Sequence, residues 1–143
     1  MEAHFKFIEH GSADWEKAVE LREKILRIPL GARFTKEELA EEKDHFQLVG
    51  FINDELIATA VLVPEQRVLK MQRVVVKAAI RNLNIGSKMM AFCEVFARDK
   101  NYHSIYCHAR DTAVDFYLKN SYKGEGDYFD EDGIPHLKMS KTL

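Results

Sequence analysis

One run restricts the fold more than any other. Met71-Gln72-Arg73-Val74-Val75-Val76 is strand-forming and closes on consecutive β-branched residues. It gives way to Arg81-Asn82-Leu83-Asn84-Ile85-Gly86-Ser87. Gly86, Met89, Met90, Cys93, Phe96 and Ala97 then follow the spacing of one helical face, which ends near Lys100-Asn101. Residues 103–109 read as another strand. Strand, helix and strand in that order require a crossover, so the two strands are expected to lie parallel in the middle of a sheet.

The rest of the chain supplies the flanks. Residues 4–8 read as a first strand. Ser12 caps a helix whose inner face is Trp15, Ala18, Val19, Arg22, Ile25 and Leu26, and Pro29-Leu30-Gly31 ends it. Thr35-Lys36-Glu37-Glu38 has the form of a capping box and opens a helix to about Lys43. Strands over 46–52 and 56–63 flank the turn Asn53-Asp54-Glu55. Pro64-Glu65-Gln66 turns the chain into a long strand from about Val68 to Val76. A helix over 112–119 closes at Asn120-Ser121, with Asn120 expected to be left-handed. Residues 123–129 and 136–140 are the last strands, joined by 130–135. The hairpins ahead of Val76 imply antiparallel pairing, giving a mixed α/β sheet in one domain over residues 1–143.

Composition excludes several classes. The 143 residues are 46% hydrophobic and 31% charged, which suits a packed core. A net charge of −2 lacks the basic excess of a nucleic-acid surface. No apolar run approaches the roughly 20 residues of a membrane span. The first residues, Met1-Glu2-Ala3-His4, lack the apolar stretch of a signal peptide. Cys93 and Cys107 are too few for a disulfide framework and read as core, so a reducing cytoplasm is expected. No CxxC pair or HExxH helix occurs, and Asp130-Glu131-Asp132-Gly133 is too short for a calcium loop, so no metal site is expected. Neither GxxxxGK[ST] nor GxGxxG is present.

The segment after Val76 has another chemistry. Asn84 and Gly86 both tolerate positive φ. Together at the start of a helix they curl successive N–H groups into an anion nest beside the positive end of the helix dipole. Ser87 adds a hydroxyl and Lys88 a charge at the rim. The same spacing also fits an ordinary connection with Arg81 in solvent.

This stretch is similar to the acetyl-CoA-binding motif of the GNAT superfamily of N-acetyltransferases, [QR]-x-x-G-x-[GA]. Arg81 takes the first position, Asn84 replaces the first glycine and Gly86 takes the last. The strand order resembles that fold over nearly the whole chain. The resemblance implies a GNAT-type acyl-CoA N-acyltransferase fold, with about seven strands flanked by about four helices. It implies that Arg81, Asn82, Leu83, Asn84, Ile85, Gly86 and Ser87 hold the pyrophosphate of acetyl-CoA. It also implies that the backbone of Val74, Val75 and Val76 pairs with the pantetheine arm, one N–H polarising the acetyl carbonyl. On the residues alone, 74–76 fit a plain core strand equally well.

A second stretch resembles the GNAT pattern N-x-x-A-x-x-[FL]-Y-x-x-x-G-[FY]. Ala113, Phe116, Tyr117 and Tyr122 match it. Ser121 replaces the glycine, and Arg110 stands where many members carry an Asn that bonds the coenzyme. Arg110 is expected to reach a phosphate or a pantetheine carbonyl instead. The resemblance makes Tyr117 the general acid. A phenol (about 10) beside a thiol (about 8.5) lends a proton to a leaving thiolate without ionising at neutral pH. By itself, Tyr117 next to Phe116 also fits a core aromatic.

The amine's base is less legible. Near Lys70, where some members carry a glutamate, nothing is acidic. His108, His136 and Glu65 are the candidates, acting directly or through water, and each also fits a structural or surface role. His136 lies in Gly133-Ile134-Pro135-His136, similar to a stretch that recurs in one GNAT subgroup. In this fold the acceptor lies near Arg27, Arg33 and Phe34 and near Asp127, Asp130, Glu131 and Asp132, an acidic set that attracts a cationic amine or is merely solvated. The expected reaction is direct transfer of acetyl from acetyl-CoA to a primary amine in a ternary complex. The alternative is a non-catalytic acyl-CoA-binding or regulatory domain. The acceptor is left open, a homodimer is compatible with the fold, and neither nucleic acid nor membrane is an expected partner.

Overall fold

A computed structural model describes residues 2–143; the Asn82 side chain lies outside that description. The strands are β1 (His4–Ile8), β2 (Phe46–Ile52), β3 (Glu55–Glu65), β4 (Val68–Val76), β5 (Ser104–Arg110), β6 (Lys123–Glu131) and β7 (Ile134–Thr142). The helices are α1 (Ala13–Arg22), α2 (Lys36–Glu41), α3 (Ile85–Asp99) and α4 (Val114–Lys119). The described strands form a seven-stranded sheet in the order β1-β2-β3-β4-β5-β7-β6. β4 and β5 run parallel, as the α3 crossover requires. The β1–β2, β2–β3, β5–β7 and β6–β7 pairs are antiparallel. This is the expected mixed α/β architecture.

The chain packs as two compact units. One runs to Val63 and resumes over Arg73–Met89. Here the Ser12 hydroxyl accepts the Trp15 N–H and starts α1, which turns Ala18, Val19 and Arg22 inward. The helical path tightens through Ile28–Leu30 and stops at left-handed Gly31. Thr35 and Glu38 form the reciprocal capping box of α2. Asn53 and Asp54 both have positive φ, the geometry of a two-residue type I′ turn, so β3 already begins at Glu55. Leu48, Val49, Ala58, Ala60, Val61 and Leu62 are fully buried. Also buried is an ion pair, in which Arg22 Nη2 donates to Glu42 Oε1 at 2.5 Å and both side chains are almost wholly shielded. Burial pulls the Arg22 guanidinium below its ordinary value, and Glu42 opposes that pull.

The second unit comprises Pro64–Gln72 and Met90–Leu143. Ile105, Cys107 and Ala109 alternate inward along β5, on the side where Met90, Cys93, Ala97, Val114 and Tyr117 are also buried. Three expectations are corrected here and in the turn before α3. Asn120 has φ −97, and Ser121 instead is left-handed at φ 70. Ser121 therefore adopts the glycine-like conformation of the position it replaces. Gly86 is helical, inside the first turn of α3, so among the described residues of this turn Asn84 supplies the positive φ. The last two strands extend well past 129 and 136, because Asp132 (φ 55) and Gly133 (φ 75) form a type I′ turn between them.

The buried pair generates a stability test. Removing Glu42 leaves a guanidinium without its partner in a dry core, a loss of about 3–5 kcal/mol. Glu42→Ala is expected to lose that amount in urea unfolding. The double replacement Arg22→Met with Glu42→Leu is expected to lose much less, because no unpaired charge then remains in the dry core and the partly exposed Arg73 keeps Glu38.

Candidate functional site

The parallel ladder between β4 and β5 begins at Val68↔Ser104 and stops, among the described residues, at Met71↔Cys107. Two residues later Arg73 has φ 54, a left-handed residue in mid-strand of the kind that breaks a ladder at a bulge. Beyond it the Lys77 N–H donates to the Ile57 carbonyl on β3 at 2.8 Å. The two-residue alternation of an extended strand then turns the Val74 and Val76 N–H groups to the opposite edge. Val75 is buried, while Val74 and Val76 are half-buried.

A 3₁₀ stretch, Ala78–Leu83, leads from this strand to Asn84, which has φ 59 and ψ 25. The Asn84 carbonyl accepts the Lys88 N–H at 3.1 Å, so α3 is anchored at its start. The N–H groups of Ile85, Gly86 and Ser87 are the ones for which an α-helix offers no acceptor. Arg81 is exposed, and its Nε donates to the Val76 carbonyl at 3.1 Å, tying the turn to the end of β4. Leu83 is exposed too, an apolar side chain set beside these donors.

The Arg73 side chain is held firmly. Its Nε lies 3.3 Å from Glu42 and its Nη2 3.6 Å from Glu38. The Phe34 ring receives three guanidinium groups, Arg27 at 4.1 Å, Arg22 at 4.7 Å and Arg73 at 4.9 Å. Arg27 grips Glu38 with both arms, at 3.0 and 2.6 Å, and this pulls the Glu38 carboxyl down to about 2. Arg33 stays exposed, 3.9 Å from Glu23.

Tyr117 is buried on α4. Its phenol is set beside the Cys107 thiol, and each acts on the other's ionisation; its ring meets Phe116 and Tyr122 edge to face at 5.1 and 5.5 Å. Tyr122 donates to Glu94 at 3.1 Å, and Glu94 also accepts from Lys141 at 2.8 Å. On the opposite face of β5, Glu131 lies 3.3 Å from His108 and 3.4 Å from His136. The Tyr106 hydroxyl donates to Glu65 at 2.6 Å. Arg110 closes β5 opposite His136. Lys70 is half-buried on β4.

Known proteins carry the same architecture. The family model described as "Acetyltransferase (GNAT) domain" matches residues 23–143. The chain belongs to the GNAT acetyltransferase family. It is 30% identical over 74 residues to YyaT, an uncharacterized protein of Bacillus subtilis, covering 52% of this chain and half the length of that protein. It is 29% identical over 107 residues to ElaA of Escherichia coli, covering 70% of this chain and 68% of ElaA. The crystal structure of ElaA superposes with a TM-score of 0.82 at 20% identity, covering 98% and 99% of the two chains. The PaiA N-acetyltransferase of Thermoplasma acidophilum, solved in complex with coenzyme A, superposes at 0.79 with 17% identity over the whole of both chains.

Set against the GNAT motifs, the structure gathers the expected residues into separate groups. The motif running through Arg81, Asn84 and Gly86 forms the turn and first turn of α3. Val74 to Val76 form the end of β4, where one carbonyl is already taken by Arg81. Tyr117 faces Cys107, whereas His108, on the next residue of β5, faces the other way with His136. Glu65 is engaged by Tyr106. Asp130 accepts the Gly133 N–H within its own turn. Two participants escaped the sequence reading. Arg73 carries no turn signal. Glu131 read as one acid in a charge run, although a type I′ assignment of Asp132-Gly133 gives the register that joins it to His136. No helix among the described residues is long and apolar enough to cross a membrane.

The tyrosines give a pH test. Burial, then Cys107, pushes the Tyr117 phenol well above its ordinary value. Burial, then Glu94, raises Tyr122, and burial, then Glu65, takes Tyr106 up to about 12. An unfolded phenol ionises near 10, so above that pH the unfolded chain releases protons that the folded chain keeps. The stability from these raised groups is complete below about pH 10 and falls as pH rises towards 12. Phenolate absorbance from Tyr117 and Tyr122 is expected to appear only together with the loss of far-ultraviolet circular dichroism.

Proposed function

We propose that this chain is an acetyl-CoA-dependent N-acetyltransferase that moves the acetyl group to a primary amine by direct attack in a ternary complex. The observation that carries the reading is left-handed Asn84 followed immediately by a long helix, in a chain of the GNAT family. That geometry fits a diphosphate, because it aims several main-chain donors and a helix dipole at one point.

In this reading the N–H groups of Ile85, Gly86 and Ser87 hold the pyrophosphate. Arg81 adds its two Nη groups, since its Nε is already bound to Val76. Asn82 and Leu83 border the same turn. The Val74 and Val76 N–H groups take the pantetheine arm and the acyl carbonyl, with Val75 as the buried anchor of the strand. Arg110 supports the coenzyme from the end of β5. The thioester supplies an activated acyl group; the protein supplies orientation and proton handling. Tyr117 donates a hydrogen bond to the departing sulfur, and its raised value keeps the phenol neutral throughout the physiological range. A histidine on the other face of the sheet, His108 of β5 or His136 of β7, takes the proton of the amine. The reading treats residues 1–143 as one GNAT domain.

Acetyl-CoA is expected to raise the melting temperature of the wild-type protein, and a screen of amines is expected to find thiol release. Tyr117→Phe is expected to cut turnover about 10²-fold while acetyl-CoA affinity stays within about threefold, the sign of an interaction made only in the transition state. Binding without thiol release from any amine favours a non-catalytic acyl-CoA-binding domain. Absence of any thermal shift overturns both readings.

A further inference from the structure

The β6–β7 hairpin brings Glu131 and His136 to one face. Register pairs Glu131 with Ile134 and Phe129 with His136, and directly opposed residues share a face. On the other side of β7, His108 pairs with Lys138 and Arg110 with His136, so His108 joins them. The two Glu131 oxygens divide between the two imidazoles: Oε1 lies 3.3 Å from His108 Nδ1, and Oε2 lies 3.4 Å from His136 Nε2.

The chemistry of the atoms assigns the hydrogens. A carboxylate only accepts, so the His108 nitrogen facing it carries the hydrogen. In the neutral ring, His108 Nε2 then keeps its lone pair. Among the described residues no hydrogen bond engages that nitrogen, and the side chain is 28% exposed. His136 is buried, and its Nδ1 donates to the Ile134 carbonyl at 2.8 Å, so its neutral ring has no hydrogen left on Nε2 for Glu131. Phe129 meets His108 edge-on at 5.0 Å and stacks on His136 at 6.0 Å, which holds both rings. Two further titratable neighbours on this face, Tyr106 and Lys138, are engaged elsewhere. The Tyr106 ring is 5.9 Å from His108, but its hydroxyl is bound to Glu65. Lys138 lies over Tyr106 and pairs with Glu125.

We propose that His108 Nε2 is the base that deprotonates the acceptor amine, and that Glu131 is the positioning residue that holds His108 in the competent tautomer. An N–H bond of the acceptor ammonium breaks and an Nε2–H bond forms; the freed electron pair attacks the acyl carbon, and as the C–S bond breaks the sulfur leaves as thiolate and takes up the second nitrogen proton. Glu131 balances the imidazolium that results. The catalytic part of this assignment rests on the acetyltransferase reading; the tautomer does not.

The test uses imidazole nitrogen–proton spectra of the full chain with labelled histidine, recorded at a pH where the rings are neutral. The His108 signal is assigned by its loss in His108→Ala. Wild type is expected to show His108 protonated at Nδ1, and Glu131→Ala is expected to shift it towards Nε2–H. A wild-type ring protonated at Nε2 overturns the proposal whether or not the protein transfers acetyl. In turnover, His108→Ala is expected to lose about 10²-fold with acetyl-CoA affinity unchanged and to recover in part with added imidazole. Glu131→Ala is expected to lose less, and nothing further in the His108→Ala background. Full activity in His108→Ala with wild-type turnover intact overturns the base alone. A wild type that binds acetyl-CoA but acetylates nothing overturns the acetyltransferase reading together with the base.

Discussion

A left-handed arginine in mid-strand governs the geometry of β4. Arg73 has φ 54, a conformation that disfavours any residue with a Cβ by roughly 1–2 kcal/mol. Such strain persists only where surrounding contacts over-determine it. Here two carboxylates, Glu42 and Glu38, and the aromatic face of Phe34 fix the guanidinium. The side chain is anchored and the backbone conforms to it. The consequence lies in the residues that follow. Lys77 pairs with β3, and alternation presents the Val74 and Val76 N–H groups at the other edge of the strand.

Charge, rather than apolar packing, does this anchoring, and the balance of terms says why it is tolerated. A buried ion pair returns little net stability over a hydrophobic replacement. Its use is direction. Arg22 is gripped by Glu42 in the dry interior, and the second oxygen of Glu42 remains for Arg73. Phe34 meets three guanidinium groups, which an aliphatic side chain of equal size could not orient. Shape-matched apolar residues would fill the same volume without dictating where residue 73 points.

What the sequence disclosed divides along the same line. Features set by local chemistry were readable: the Ser12 and Thr35 caps, the amphipathic face of α3, and Asn84 as the left-handed residue before it. Positions whose conformation is imposed from a distance were not. Ser121 is left-handed although Asn120 beside it is the better candidate by type, and Arg73 is left-handed with no turn chemistry at all. The Glu131 contacts depended on register. Reading residues 130–135 as a long loop hid them, whereas the two positive-φ residues Asp132 and Gly133 pair residue 131 with 134 and 129 with 136. One turn assignment separates a solvated acidic run from a carboxylate shared by two histidines.

The alternation of β5 bears on the direction of proton flow in the proposed reaction. Cys107 and Tyr117 occupy one face of the strand, His108 and Glu131 the other. A phenol ordinarily lies about 1.5 above a thiol, so full proton transfer from Tyr117 to a thiolate already runs uphill by roughly 2 kcal/mol. Burial steepens that slope further. Tyr117, expected from the family motif as general acid, is therefore better suited to stabilise the departing sulfur by a hydrogen bond while retaining its proton, in the manner of an oxyanion-hole donor. The proton lost by the amine must then leave by the opposite face, where His108 is partly open and a carboxylate stands ready to balance the imidazolium. Acid-like and base-like groups stay apart because neighbouring residues of an extended strand point in opposite directions.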